Sequence, residues 1–516
     1  MQMTEISHDI ARIERVPSGI EGFDQILQGG LLKGETYLIM GAPGAGKTIF
    51  GNQMCFNHVA AGGRAIYMTV LAETHSRMLS HMQSFDFFSQ EPIADKLIYL
   101  SGYATLEQQG LDALLTMIRK EVRRQHATLL VIDGMVTIEQ NASTLSERKE
   151  FLHSLSVITE AIGCTTVLLM QYEKDMYDQP EHTMVDGLFR LSSHFNDSRW
   201  MREFQVYKFR GSSFMEGRHL YAISGKGIEL HPRIDALLKS QQVPLPPSLT
   251  SLAPPERLGF GVTRLDEMVR GGIPLGNSTI VLGAPGTGKT LLGLHFLYEG
   301  AKQGEQCLHF GFYESTSQLK QRMVKMGLDM EDPVVNQHLE FMTQPPTEDI
   351  IDVLGKQILE TVRRKKVRRL FIDGIAGFQN TVASTDRLVL FLTSLFTSLR
   401  NMDITTIWSI ELADLLSPTL VMPESISKIA ILVENILFLR YVELYSQLYR
   451  LISIIKMRQS GYDPSIREFR ITDQGLNIAA TFDSAEAILT GAARPRETDS
   501  ESGFTKDTSS SREKHQ

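Results

Sequence analysis

Apolar residues along this chain come in short, unbroken runs separated by longer stretches of helical period. In the first half they are TYLIM (36–40), AIYMTV (65–70), TLLVID (128–133) and CTTVLLM (164–170). In the second half they are STIVL (278–282), CLHFGF (307–312), RLFID (369–373) and TTIWSI (405–410). A strand with one wet face alternates apolar and polar residues; a run without alternation predicts a strand buried on both faces. Such strands, alternating with helices, predict an α/β fold in which helices flank a mostly parallel sheet. MLSHMQ (78–83) spaces its methionines as one face of a helix, which predicts core packing. The longest apolar run, AILVENILFL (430–439), is interrupted by Glu434 and Asn435 and reads as a buried strand. It falls well short of the roughly 18 residues a membrane span requires. The N-terminal MQMTEISHDIARIERV has no apolar core of the signal-peptide kind, so a cytoplasmic protein without membrane contact is expected.

The pattern occurs twice. GIEGFDQILQGGLLKGETYLIMGAPGAGKT (19–48) aligns without a gap with GVTRLDEMVRGGIPLGNSTIVLGAPGTGKT (261–290). Asp24 then matches Asp266 and Lys47 matches Lys289, both at an offset of 242. Further on, VIDG (131–134) matches FIDG (371–374) and YKFRGS (207–212) matches IKMRQS (455–460), at offsets of 240 and 248. The drift implies short loop insertions within one duplicated fold. The repeated unit, roughly 225–240 residues, is far longer than a solenoid repeat and is a domain in itself. The expected division is a first domain over 1–239, a linker over 240–256, a second domain over 257–485 and a polar tail over 486–516. The linker is rich in Pro and Ser, and the tail has too little apolar surface to order itself.

Composition narrows the chemistry. With 42% apolar and 22% charged residues the chain can build ordinary cores. A net charge of −8 argues against non-specific binding of nucleic acid or anionic membrane. Cys55, Cys164 and Cys307 stand far apart, which fits a reducing compartment and makes neither a disulfide framework nor a zinc site. The basic stretches IRKEVRRQH (118–126) and VRRKKVRRL (362–370) each precede a strand, as the cationic end of a helix does for dipole reasons. Nucleic-acid contact is the alternative, and no aromatic interleaving supports it.

GAPGAGKT (41–48) and GAPGTGKT (283–290) carry the strongest chemistry. Each follows an apolar strand and precedes a helix, the context in which a glycine-rich loop wraps phosphates with its backbone N–H groups. A chance match to G-x-x-x-x-G-K-T in a chain of this length has odds of roughly 2%, and two matches at equivalent places are not accidental. The predicted nucleotide-binding residues are Gly41, Gly44, Ala45, Gly46, Lys47, Thr48 and Ile49, with Gly283, Gly286, Thr287, Gly288, Lys289, Thr290 and Leu291. Lys47 and Lys289 would reach the β- and γ-phosphates of ATP, and the Thr48 and Thr290 hydroxyls would ligate Mg²⁺. Asp133 and Asp373 end apolar strands, as a Mg²⁺-orienting Walker B aspartate does; turn or cap residues do so too, but recurrence in both units favours the metal role.

The array G-I-x-G-F-D, G-x-x-x-x-G-K-T, strand-ending Asp and K-x-R-G-S resembles the KaiC family of two-domain RecA-superfamily ATPases, over about residues 14–485. The resemblance implies two tandem RecA-like P-loop NTPase domains and a homohexamer of stacked rings with ATP between neighbouring subunits. It implies that Lys208 and Arg210, and Lys456 and Arg458, act on a neighbour's nucleotide. It also implies a glutamate pair after the strand that follows the P-loop helix, one member orienting or deprotonating the nucleophile. Here only the second member is kept, as Glu73 in LAET and Glu314 in FYES, so ATP binding with slow hydrolysis is expected. The Ser-Thr pair that clock members phosphorylate falls on Ala430 and Ile431, with Ser425 and Ser427 nearby. The expected function is therefore a regulatory or signalling ATPase that couples nucleotide state to a protein partner, with the tail as a candidate contact. The alternatives are an ATP-assembled scaffold, residual Ser/Thr autokinase activity and, further off, a DNA-dependent motor.

Overall fold

A computed structural model of the chain describes residues 14–72, 75–171, 183–196, 199–240, 254–345, 350–379, 381–382, 384–412, 424–444 and 447–479. A ribbon of β1 (Arg15–Val16) and β2 (Leu31–Leu32) leads into β3 (Thr36–Gly41), β4 (Ala65–Thr69), β5 (Leu97–Ser101), β6 (Leu129–Asp133) and β7 (Thr165–Gln171). These are followed by β8 (Gly187–Asn196), β9 (Arg199–Phe209), β10 (Arg218–Ser224) and β11 (Gly227–His231). The nine strands after the ribbon form one sheet in the order β11-β10-β9-β8-β3-β7-β6-β4-β5. From β8 to β5 all pairings are parallel.

The second half repeats this plan. After the ribbon β12 (Arg257–Leu258) and β13 (Ile273–Pro274) come β14 (Ser278–Gly283), β15 (Cys307–Gly311), β16 (Leu339–Thr343), β17 (Arg369–Asp373) and β18 (Thr405–Glu411). β19 (Asn435–Leu444), β20 (Gln447–Met457), β21 (Arg467–Thr472) and β22 (Gly475–Ile478) complete it. The sheet order, β16-β15-β17-β18-β14-β19-β20-β21-β22, is that of the first sheet with β14 laid on β3. The chain is thus two tandem RecA-like α/β domains.

The unbroken apolar runs have a direct cause. On β3 and β6, Tyr37, Ile39 and Val131 enter one core cluster, while Leu38, Met40, Leu130 and Ile132 enter another on the opposite face. In the second sheet Val281 and Phe371 face one cluster, and Ile280, Leu282, Leu370 and Ile372 the other. Helices Lys47–Ala60, Tyr103–Gln125 and Leu145–Ile162 cover the first sheet, and Lys289–Lys302, Ile351–Lys365 and Thr385–Arg400 cover the second. Met78 and Met82 are buried on the helix His75–Met82, as their spacing predicts. Among the described residues no helix is long and apolar enough to cross a membrane.

Three expectations need correction or completion. The run 430–439 is not one strand: the helix Glu424–Leu432 ends inside it and β19 starts at Asn435. The polar break is structural, because buried Glu434 pairs with Arg400 and accepts from the Ser278 N–H at 2.8 Å. Asn435 donates to the Thr279 hydroxyl at 3.0 Å. Each sheet also carries an antiparallel extension, β8 to β11 and β19 to β22, that the apolar runs did not announce. The basic stretches do end helices, with left-handed caps at His126 and Lys366. Arg369, however, is buried on β17, where it pairs with Glu305 at 2.5 Å and lies over the Phe296 ring.

The repeated G-x-x-x-x-D segment is a loop lock. The Asp24 carboxylate accepts from the Ser18 and Gly19 N–H groups, and the Asp266 carboxylate from those of Phe260 and Gly261. After β11, the helix Ile234–Ser240 crosses to the second domain, where the Ile234 side chain enters the core. Most of the expected linker (241–253) and the whole tail (486–516) lie outside the described residues.

Candidate nucleotide-binding sites

Each glycine-rich loop runs from the end of a central strand into a helix N-terminus. Gly46 and Gly288 cap the helices with φ of 91° and 105°, a left-handed conformation that side chains resist. A Cβ at Gly46 would lie 2.8 Å from Ile223 Cδ1, and one at Gly288 2.7 Å from Phe469 Cε1. The antiparallel extension thus presses against each loop. It also anchors them: Tyr221 donates its hydroxyl to Ala45 O at 2.7 Å, and Tyr441 to Gly286 O at 2.6 Å.

The strand order sets the rest. β7 separates β3 from β6, and β18 separates β14 from β17, so each loop looks across one strand at a strand-ending aspartate. Thr48 Oγ1 donates to Asp133 Oδ2 at 2.9 Å. Thr290, the counterpart of Thr48, lines one cavity with Asp373 and helps to lower that carboxyl's pKa. Lys47 Nζ lies 2.8 and 3.0 Å from the Gly41 and Ala42 carbonyls, and Lys289 Nζ 2.9 Å from those of Gly283 and Ala284. Burial lowers the pKa of both lysines, opposed by Asp133 at the first site and by Glu411 and Asp373 at the second. The second site opens on a cavity of ≈560 Å³ lined by Lys289, Thr290, Asp373, Glu314 and Arg322. A lysine ammonium, a helix N-terminus and a hydroxyl–carboxylate pair of hard oxygens fit a Mg-nucleotide.

The two sites are not alike around the aspartate. In the first, buried Tyr67 donates to Asp133 Oδ2 at 2.7 Å, and burial with the Asp133 charge holds that phenol well above its ordinary pKa. At the same register of the second site stands His309, whose Nε2 is 3.9 Å from Asp373 Oδ2. Leu169 on β7 is replaced by Ser409 on β18, which donates to Asp373 Oδ1 at 2.6 Å. Gln171 is replaced by Glu411, 3.8 Å from Lys289 Nζ. Burial raises the pKa of Asp373, but His309, Ser409 and Thr290 bring it below the ordinary value.

Of the remaining predicted residues, Glu73 lies outside the described residues. Glu314 Oε1 accepts from Arg322 Nη1 at 2.9 Å. Lys208 Nζ donates to the Thr183 and Val185 carbonyls, and Arg210 to Thr183 O. Lys456 does the same with Ala430 and Val433, and Arg458 with Ile431 O. Lys208 sits opposite Leu188, near the start of β8, whereas the P-loop follows the end of β3 beside Leu191. Neither pair of cations lies at its own phosphate loop. Sequence reasoning missed Tyr67, His309, Ser409, Glu411 and Arg322. The offset of 242 that aligns the P-loops already sets Tyr67 against His309, and that substitution was the available signal.

Two phosphate cradles on RecA-like sheets, each facing a half-buried threonine and a strand-ending aspartate, define a tandem P-loop NTPase fold. A family model described as an ATPase, KaiC, matches residues 16–235 and again 258–482. The chain belongs to the KaiC ATPase family. It is 27% identical to the circadian clock oscillator protein KaiC of Thermostichus vulcanus, over 95% of this chain and 94% of that one. Against the same protein of Acaryochloris marina identity is 28%, over 93% and 91% of the two chains. Against that of Synechococcus elongatus it is 27%, over 93% and 92%.

Proposed function

We propose that this chain binds Mg-ATP at both P-loops, hydrolyses it slowly, and assembles as a homohexamer whose nucleotide state governs binding of a regulatory or signalling protein in the cytoplasm. The observation that carries the reading is the duplicated cluster of Lys47, Thr48 and Asp133 with Lys289, Thr290 and Asp373. In it each lysine and each hydroxyl–carboxylate pair converges on one helix N-terminus. Thr48 and Thr290 hold Mg²⁺ with Asp133 and Asp373 orienting it, and Glu73 and Glu314 act on the attacking water. Lys208 and Arg210, with Lys456 and Arg458, act on the neighbour's γ-phosphate; their distance from their own loops supports a role in trans.

The named relatives are clock oscillators, yet positions 430 and 431 are Ala and Ile here, which supports a role outside a phosphorylation cycle. The ion pair of Glu314 with Arg322 favours a second reading, an ATP-assembled scaffold with little turnover. Lys47→Ala and Lys289→Ala, made separately, are to be measured for ring mass by light scattering and for phosphate release. The ATPase reading expects each variant to lose part of the turnover. It fails if phosphate release by both equals that of the parent. If Glu73→Gln and Glu314→Gln leave turnover unchanged, the scaffold reading replaces it.

A further inference from the structure

His309 is 1% exposed, lies among Phe341 and Phe371, and lines the cavity of the second site together with Asp373, Thr290 and Ser409. Neither of its ring nitrogens has a hydrogen-bond partner among the described residues. Buried polar atoms left unpaired are rare, and one aimed at a site points to a ligand. Nε2 stands 3.9 Å from Asp373 Oδ2, beyond a hydrogen bond but within reach of one ion shared between the two, since bonds from a first-row dication to nitrogen or oxygen are about 2.0–2.2 Å each. Tyr67, at the same position in the first site, closes that gap with its own hydroxyl at 2.7 Å and offers oxygen only.

Resting on the reading of these loops as Mg-nucleotide sites, we propose that His309 is a metal-specificity residue. It places an imidazole nitrogen at the ion of the second site, so that this site selects a first-row transition dication over Mg²⁺ while the first site does not. Imidazole nitrogen favours transition metals, whereas Mg²⁺ keeps to oxygen and water. Among the described residues no group of three or more His, Cys, Asp or Glu forms an all-protein metal site, so the ion is held only together with nucleotide phosphates.

The test uses the full chain with ADP, titrated with Mn²⁺ and read from loss of the free-ion paramagnetic resonance signal, then challenged with Mg²⁺. The expected result is nucleotide-dependent Mn²⁺ at both sites, with one ion about tenfold or more harder to displace, the range that residues supporting a metal site command. That ion also shows nitrogen modulation in its spin-echo spectrum. His309→Tyr, which copies the first site, removes both properties, and the near-isosteric His309→Asn does the same should tyrosine not fit. Equal displacement from both sites of the parent, or a retained ion that survives both substitutions, overturns the proposal. Absence of nucleotide-dependent Mn²⁺ at either site overturns instead the reading of the loops on which it rests.

Discussion

The two domains are joined by a buried charge cluster whose removal has a calculable cost. Asp352 has a side chain 1% exposed and takes both its oxygens to Arg387, at 2.5 and 2.6 Å, while also accepting the Ile234 N–H at 3.1 Å. Arg387 further donates to Asp235 at 2.9 Å, and Asp235 is held by Arg233. Arg387→Leu leaves Asp352 buried with one backbone donor. Orphaning one member of a buried pair costs about 3–5 kcal/mol. The adjoining cavity of ≈150 Å³, which Asp352 lines, lets water reach the carboxylate and sets the figure at the lower end. Asp352→Leu removes the buried charge and leaves the Ile234 N–H unpaired, a loss of about 1–3 kcal/mol. The double substitution leaves no orphaned charge and should therefore be more stable than Arg387→Leu alone, although simple addition makes it the worst of the three. Urea unfolding followed by tryptophan fluorescence reads this directly. Trp408 is fully buried in the second domain, whereas Trp200 in the first is 66% exposed and changes little. A loss of about 3 kcal/mol moves the midpoint by about 1 M or more. The reasoning is refuted if Arg387→Leu leaves the midpoint in place, or if the double variant unfolds no later than Arg387→Leu.

His295, 6% exposed, has its pKa lowered to about 4 by burial, against a small opposing pull from Glu299. The unfolded chain takes up this proton near pH 6.5 and the folded chain does not, so stability falls as pH drops from 6.5 towards 4, by up to about 3 kcal/mol. Urea midpoints of the second domain across that range should flatten in His295→Gln, and an unchanged slope would count against the assignment. Arg322→Gln releases Glu314 from its ion pair at a half-exposed position, so the fold should lose less than about 1 kcal/mol. Phosphate release at the second site, measured in the Lys47→Ala background, should nevertheless change at least severalfold; a rate equal to that background would show that the pair does not set the glutamate's position.

Much of the fold was legible because strands buried on both faces leave a signal that needs no partner to interpret: eight unbroken runs, all found on the parallel strands. The antiparallel extension was not legible. In β9 the buried Phe204 and Val206 alternate with half-buried residues and follow Arg202 and Glu203, and in β20 the buried stretch 451–454 contains Ser453 and follows Arg450, so neither strand shows a long unbroken apolar run. The run 430–439 misled for the opposite reason. Its apolar residues serve a helix and then a strand, and the paired Glu434 at the junction looks like a defect until Arg400 is seen beside it. In the sites, the loops and strand-ending aspartates were readable from spacing. Arg322 was not, since its pairing with Glu314 depends on how the helix Thr316–Lys325 turns back over the cavity.

The octapeptides differ at one position, Ala45 against Thr287, and Thr287 turns its hydroxyl to Ala284 O within the loop. That substitution therefore adds no new group to the phosphate side. The differences that reach the site come from two strands of each sheet, β4 and β7 against β15 and β18: Tyr67 against His309, Leu169 against Ser409, and Gln171 against Glu411. Ser409 adds a hydroxyl at Asp373 and Glu411 a carboxylate near Lys289, while His309 exchanges a phenol for an imidazole. Substitutions in buried strands change the surroundings of the metal and phosphate groups without altering the loop that wraps them. A duplicated chain can in this way keep two equal cradles and still give its two sites different chemistry, and here the change lies around the aspartate: Ser409 and His309 stand beside Asp373 at the positions that Leu169 and Tyr67 hold beside Asp133.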